Sequence, residues 1–233
     1  MHAPVCRARG FTLIELAVVI LVVTLLLGSL LVPLSSQVQQ RNVTETQRRL
    51  EEAREALIGY AMVNGRLPRP AVSDTDGSER TAACTTNADC TGFLPWGVLG
   101  VPRTDAYGKL IRYSVTPALA NGAISMSSAG NKTVKTYQGT TQVILANDAA
   151  AVLISHGQNN WGRTADNVSM PDNSTTNFNE DDNANNDGTS ANPFWARTAT
   201  DNTAAPGGEF DDQVVILPQP LLVSRLIAAG KLP

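Results

Sequence analysis

The side chains able to do chemistry in this chain fall into four small sets. Glu15 is the only charge in the apolar run Phe11 to Leu34, FTLIELAVVILVVTLLLGSLLVPL. An ionisable group in a bilayer core costs about 3 kcal/mol on insertion scales, so a carboxylate in such a run calls for a function. Cys84 and Cys90 are separated by TTNAD, and a third thiol, Cys6, precedes the apolar run. C-x5-C is not a usual zinc spacing, and no second thiol or histidine cluster accompanies it, which leaves a disulfide or two free thiols. His156, in LISHGQNNWG, closes a strand-like stretch, where a lone imidazole packs or hydrogen-bonds more readily than it catalyses. The run PDNSTTNFNEDDNANNDGTSANP holds Asp172, Glu180, Asp181, Asp182 and Asp187 amid many Asn.

Oxygen-rich loops of that last kind suit Ca2+, which takes about six to eight oxygen ligands in irregular geometry. Asp181, Asp182 and Asp187 are the tentative ligands. The spacing is not an EF-hand: Asn183, Asn185, Asp187 and Gly188 echo its start, but Phe194 stands where a closing glutamate belongs. A calcium-ordered loop and a solvated loop both remain open. The chain has no G-x-S-x-G elbow, no H-E-x-x-H and no phosphate-binding glycine loop. Its carboxylates lie in turn-rich polar runs, with no spacing that argues for a paired-carboxylate hydrolase. No enzyme is expected.

The 233 residues leave room for one core of about 150 residues beyond the apolar run. Charged residues make up 17% of the chain and its net charge is -3, with no basic tract, so no nucleic-acid partner is expected. The apolar run exceeds the roughly 7–15 residues of a secretory h-region and reaches the roughly 20 that span a bilayer. Arg7 and Arg9 flank one end and the next charge is Arg41. The positive-inside rule places the N-terminus in the cytoplasm and everything after about Ser35 outside. Cys84 and Cys90 then lie in an oxidising compartment, where an even pair favours a disulfide.

The stretch GFTLIEL, Gly10 to Leu16, followed by an apolar helix, resembles the leader junction of type IV pilins and type II secretion pseudopilins. The resemblance covers about Arg9 to Leu34. It implies that prepilin peptidase, a membrane aspartyl peptidase, cuts after Gly10 and N-methylates Phe11, and that His2 and Cys6 leave with the leader. It implies that Glu15 pairs with the new amine of Phe11, within one chain or, as the family favours, on a neighbouring subunit; the plainer reading is a carboxylate that snorkels to nearby headgroups. The implied function is structural: a pseudopilin or minor pilin of a type II secretion or type IV pilus-like filament. Its partners would be other subunits and the peptidase. It would cross the inner membrane once, with its globular domain periplasmic, before joining a periplasmic or surface filament. Related pseudopilins carry calcium in a C-terminal loop, which supports the first reading of the acidic run. The competing class is a membrane-anchored extracytoplasmic binding or hydrolytic domain with an uncleaved N-terminal helix.

These elements are expected to form a leader over 1–10, a transmembrane and assembly helix over 11–34, an amphipathic half over 35–64, and a globular domain over 65–233. Gly28 and Pro33 should weaken the helix, with Thr44 or Thr46 capping a restart. Leu50, Ala53, Leu57, Ile58, Ala61 and Met62 form one apolar stripe that Gly65 ends. A Pro- and Gly-rich passage follows, anchored by Phe93, Leu94, Trp96, Val98 and Leu99. Strands are expected at 109–115, 123–127, 142–145, 150–155 and 213–217, with a short helix from about Pro220 to Gly230. The fold class is α+β, a long N-terminal helix packed on an antiparallel sheet, which is also what the pilin resemblance implies.

Overall fold

The computed structural model describes residues 10–232, and the side chains of all of these except 27–34. Apart from Gly10, the leader lies outside the described residues. The chain divides into two compact units, Met1–Asn42 and Val43–Pro233. One helix, α1, runs Leu13–Asn64, so neither Thr44 nor Thr46 caps a restart. Thr46 is instead buried, and its hydroxyl accepts the Ala106 amide at 3.1 Å.

In the first unit, every large apolar side chain described from Phe11 to Leu26 is exposed, and Phe11 and Leu13 are 86% and 87% exposed. A helix that is apolar all round needs cover from lipid or from other helices. Among the described residues, no helix is long and apolar enough to cross a membrane. The rest of the apolar run, 27–34, lies outside the described side chains.

In the second unit, the expected stripe is buried: Leu50, Ala53, Leu57, Ile58 and Ala61 share a core with Tyr113, Val115, Ala151, Leu153, Val215 and Leu217 of the sheet. Leu222 and Leu226 join this core from α5 (Gln219–Ala228), at the C-terminal helix expected from the sequence. The opposite face of α1 carries Glu45–Arg49, Arg48–Glu52 and Glu51–Arg54 ion pairs at 2.9, 3.1 and 2.6 Å. Exposed pairs of this spacing contribute about 0.3–0.5 kcal/mol each, so burial, not charge, seats this segment. Gly65, at φ 69°, ends the helix and returns its amide to the Ala61 carbonyl.

Six strands form one sheet: β1 (Thr91–Phe93), β2 (Arg112–Val115), β3 (Lys132–Gln138), β4 (Thr141–Ser155), β5 (Phe194–Trp195) and β6 (Gln213–Pro218). The order is β1-β2-β4-β3-β5, with β6 also paired to β4, and every pairing except β3–β5 is antiparallel. The two strands expected at 142–145 and 150–155 are one. Asn147 and Asp148 suggest a break between them, but a register irregularity in the β3–β4 ladder lets the strand continue. The strand expected at 123–127 is absent; Ser125 and Ser128 close a turn there, while β3 forms just beyond it. Short helices α2 (Trp96–Leu99), α3 (Pro117–Asn121) and α4 (Phe178–Asn185) complete the unit. Of the expected loop anchors, Leu94 is fully buried but Val98 is exposed.

The sheet is covered on both faces. Val152 and Ile154 point away from the α1 side and pack with Val134, Ala149 and Phe194 in a second, smaller core. A disulfide joins Cys84 to Cys90, with both side chains buried in the first core.

The passage after α1 is tied down by Glu79. Its carboxylate takes Arg66 through two bonds of 2.7 and 2.9 Å, the Arg69 amide at 3.0 Å and the Tyr60 hydroxyl at 3.0 Å. Partial burial pushes its pKa up, but Arg66, the Arg69 amide and Tyr60 outweigh this and hold it at about 2. A carboxylate depressed on folding contributes stability above its unfolded value near 4.5, and loses it as pH falls toward 2. Glu79→Gln should therefore destabilise the chain at pH 7 and shrink the loss of melting temperature between pH 5 and pH 2. An acid limb identical to that of the unmodified chain would contradict this role.

Candidate functional site

Two places gather the residues singled out above. The first is the start of α1. Gly10 is exposed, and among the described residues a Cβ built on it would meet nothing within 4 Å. No described side chain covers the peptide group between Gly10 and Phe11. Beyond it, Thr12 donates from both its amide and its hydroxyl to Glu15 Oε2, each at 2.8 Å, and the Glu15 amide donates to Thr12 Oγ1 at 3.3 Å. This is a reciprocal capping box, in which Thr at the cap and Glu three residues on satisfy amides that the helix leaves open. The T-x-x-E spacing was present in the sequence and carries this signal. Glu15 thus has a structural partner within the single chain.

The second place is on the far side of the sheet. The acidic run is not simply a loop: α4 forms within it and buries Asn179, Glu180 and Asn183. The tentative calcium ligands are not brought together. Asp181 accepts the Trp161 indole at 2.8 Å, Asp182 accepts the Trp195 indole at 2.8 Å, and Asp187 accepts the Thr189 hydroxyl at 3.0 Å. Among the described residues, the one group of three acids with oxygens all within 4.8 Å is Glu180, Asp211 and Asp212. Sequence reasoning missed this group because Asp211 and Asp212 lead into β6, about thirty residues beyond Glu180, and only the fold makes them neighbours.

The contacts of this group are specific. Glu180 accepts the Asp211 amide at 2.7 Å and the Asn177 and Asn160 side chains at 3.1 and 3.3 Å. Asp211 Oδ2 accepts the Gln158 and Asn159 amides at 2.9 Å each. Asp212 Oδ2 accepts Asn183, whose amide also bonds both main-chain groups of Trp195, as a paired strand would. His156 Nδ1 lies 3.5 Å from Asp212 Oδ1. Burial first, then the neighbouring Asp212 and Asp211, push Glu180 up to about 7, and burial pushes Asp211 up as well.

Lys109 stands beside these acids. Its Nζ donates to the carbonyls of His156, Asn159 and Asn160 at 3.0, 2.5 and 2.7 Å. Burial pushes its pKa down, while the field of Asp211, Asp105, Asp212 and Glu180 pulls it up. The wrapped segment includes Asn160 and Trp161 at φ 29° and 40°, which is unusual for residues with a side chain. The three carbonyl contacts hold this strained turn in place. Lys109→Met would leave those carbonyls without their donor. It should cost about 2–4 kcal/mol in urea unfolding of the full chain. An unchanged midpoint would show that the turn does not depend on the ammonium.

Residues 6–31 match the family model described as "Prokaryotic N-terminal methylation motif". Neither a curated protein nor a solved structure matches the chain. The matched span contains Gly10, Phe11 and Glu15 and leaves the second unit outside it. The chain carries at its N-terminus the prepilin-type signature of pilin and pseudopilin proteins.

Proposed function

We propose that this chain is a structural filament subunit, a pseudopilin or minor pilin of a type II secretion or type IV pilus-like assembly. The observation that carries this reading is the methylation motif set on a helix whose described apolar side chains, Phe11 to Leu26, are exposed all round. Such a surface needs lipid before assembly and neighbouring helices after it. The subunit inserts once into the inner membrane with its N-terminus cytoplasmic. Prepilin peptidase cuts after Gly10 and methylates Phe11. The cut frees a cationic amine at Phe11, and Glu15 can leave Thr12 to pair with the amine of a neighbouring subunit. In an apolar medium such a pair is worth making only in one register, so it selects register as the filament grows. The second unit, with its own core, faces the periplasm or the exterior and presents contact surface rather than an active site.

Peptide mass analysis of the chain extracted from its native membrane tests this reading. A mature chain that begins at N-methylated Phe11 is expected. Residues 1–10 retained on the assembled protein would favour a plain membrane-anchored domain instead.

A further inference from the structure

Three carboxylates crowd together beneath α4 with no cation in contact. The oxygens of Glu180, Asp211 and Asp212 come within 4.8 Å of one another, and Glu180 and Asp212 are buried. Three positive side chains feel their field, but each is bonded to carbonyls. Lys109 holds those of His156, Asn159 and Asn160. Arg112 holds that of Asn186, and Arg197 those of Gly208 and Glu209. Among the described residues, no ion pair joins a lysine or arginine to any of the three acids. Like charges buried without direct compensation are costly, so a proton or a bound cation is needed among them.

Unpartnered polar atoms lie beside the group. His156 is 5% exposed and its Nδ1 has no hydrogen-bond partner, although it lies 3.5 Å from Asp212 Oδ1. Asp211 Oδ1 is likewise buried without a partner, as is the side-chain oxygen of Asn177, whose amide donates to Glu180. A neutral imidazole with its proton on Nε2 offers a lone pair at Nδ1. Two donors that each sit about 2.0–2.2 Å from one metal are separated from each other by roughly 3–3.5 Å. The gap between His156 and Asp212 therefore suits two ligands of one ion better than it suits a hydrogen bond.

We infer that Glu180, Asp211 and Asp212 form a site for a divalent metal, and that His156, which lies 3.5 Å from Asp212 but outside the group of three, turns in to complete a mixed nitrogen and oxygen donor set of the zinc or manganese class. The imidazole sets the class, because Ca2+ and Mg2+ favour all-oxygen ligand sets. The ion links three segments that are distant in sequence: α4, the turn after β4, and the start of β6. The amides already bonded to Glu180, Asp211 and Asp212 orient the carboxylates from behind, as outer-shell partners do. The competing explanation is a proton shared among the acids, which needs no metal.

The test uses the full chain in detergent, stripped with chelator and dialysed separately against Zn2+, Mn2+, Ca2+ and Mg2+. Bound metal is measured by mass spectrometry, and the melting temperature is recorded. The expected result is about one equivalent of Zn2+ or Mn2+ per chain with a raised melting temperature, as binding to the folded state requires. Asp212→Asn and His156→Gln should each weaken uptake at least tenfold, while Asp148→Asn, outside the cluster, leaves it unchanged. Glu180→Gln separates ligation from folding: it removes a repelling charge, so the stripped chain should melt no lower than the unmodified one, yet uptake should fall. No uptake of Zn2+ or Mn2+, uptake that survives all three ligand substitutions, or binding of Ca2+ that His156→Gln leaves intact would each overturn the assignment.

Discussion

The second unit is organised around the C-terminal half of β4, residues 149–155, which is buried on both faces. Ala151 and Leu153 face α1 and α5, while Val152 and Ile154 face the smaller core with Val134 and Phe194. A strand apolar on both sides must be covered twice. The two covers are different in kind. The α1 side is an ordinary apolar core built from the Leu50–Ala61 stripe. The far side has few large apolar residues to offer, and it is closed outside Phe194 by polar contacts: Asn183 to Trp195 and Asp212, Asp181 and Asp182 to indole nitrogens, and Lys109 to three carbonyls. Directional polar contacts of this type hold a unique arrangement when they are complete and cost stability where they are not. The crowded acids beside His156 are where they are least complete.

This contrast explains what could be read from the sequence. The buried stripe on α1, its end at Gly65, β6 and α5 follow from periodicity and stop signals, because apolar burial drives them. The far side was legible only as a composition, rich in Asn and Asp. Its order arises from side chains that recognise main-chain groups and indoles far along the chain, and such pairings leave no period. Glu180 stood in the sequence beside Asp181 and Asp182, with nothing to mark that it alone turns inward to meet Asp211 and Asp212. The continuity of β4 through Asn147 and Asp148 was hidden for a related reason: a local register irregularity overrides the weak strand preference of those residues.

At the N-terminus the sequence said more than the fold adds. Gly10, Phe11 and Glu15 form a pattern that residue type and spacing alone make recognisable, and the match over residues 6–31 agrees with it. The structure contributes the capping box. Thr12 gives the Glu15 carboxylate a place to rest in the single chain, so the charge in the apolar run is not without a partner before assembly. The same bonds set a threshold for the proposed pairing: a neighbour's amine would have to offer the carboxylate more than the two Thr12 donors do. An amine would replace these ion–dipole bonds with an ion pair, whose attraction grows as water is excluded.

The proposed role of Glu15 lies in assembly rather than insertion. It is tested most directly by expressing Glu15→Leu beside the unmodified chain in the native host and comparing membrane insertion, removal of residues 1–10 and recovery in filaments. Insertion is expected to persist, since the run becomes more apolar, and processing to continue, while incorporation into filaments falls sharply. A variant that is inserted, processed and assembled as well as the unmodified chain would contradict it.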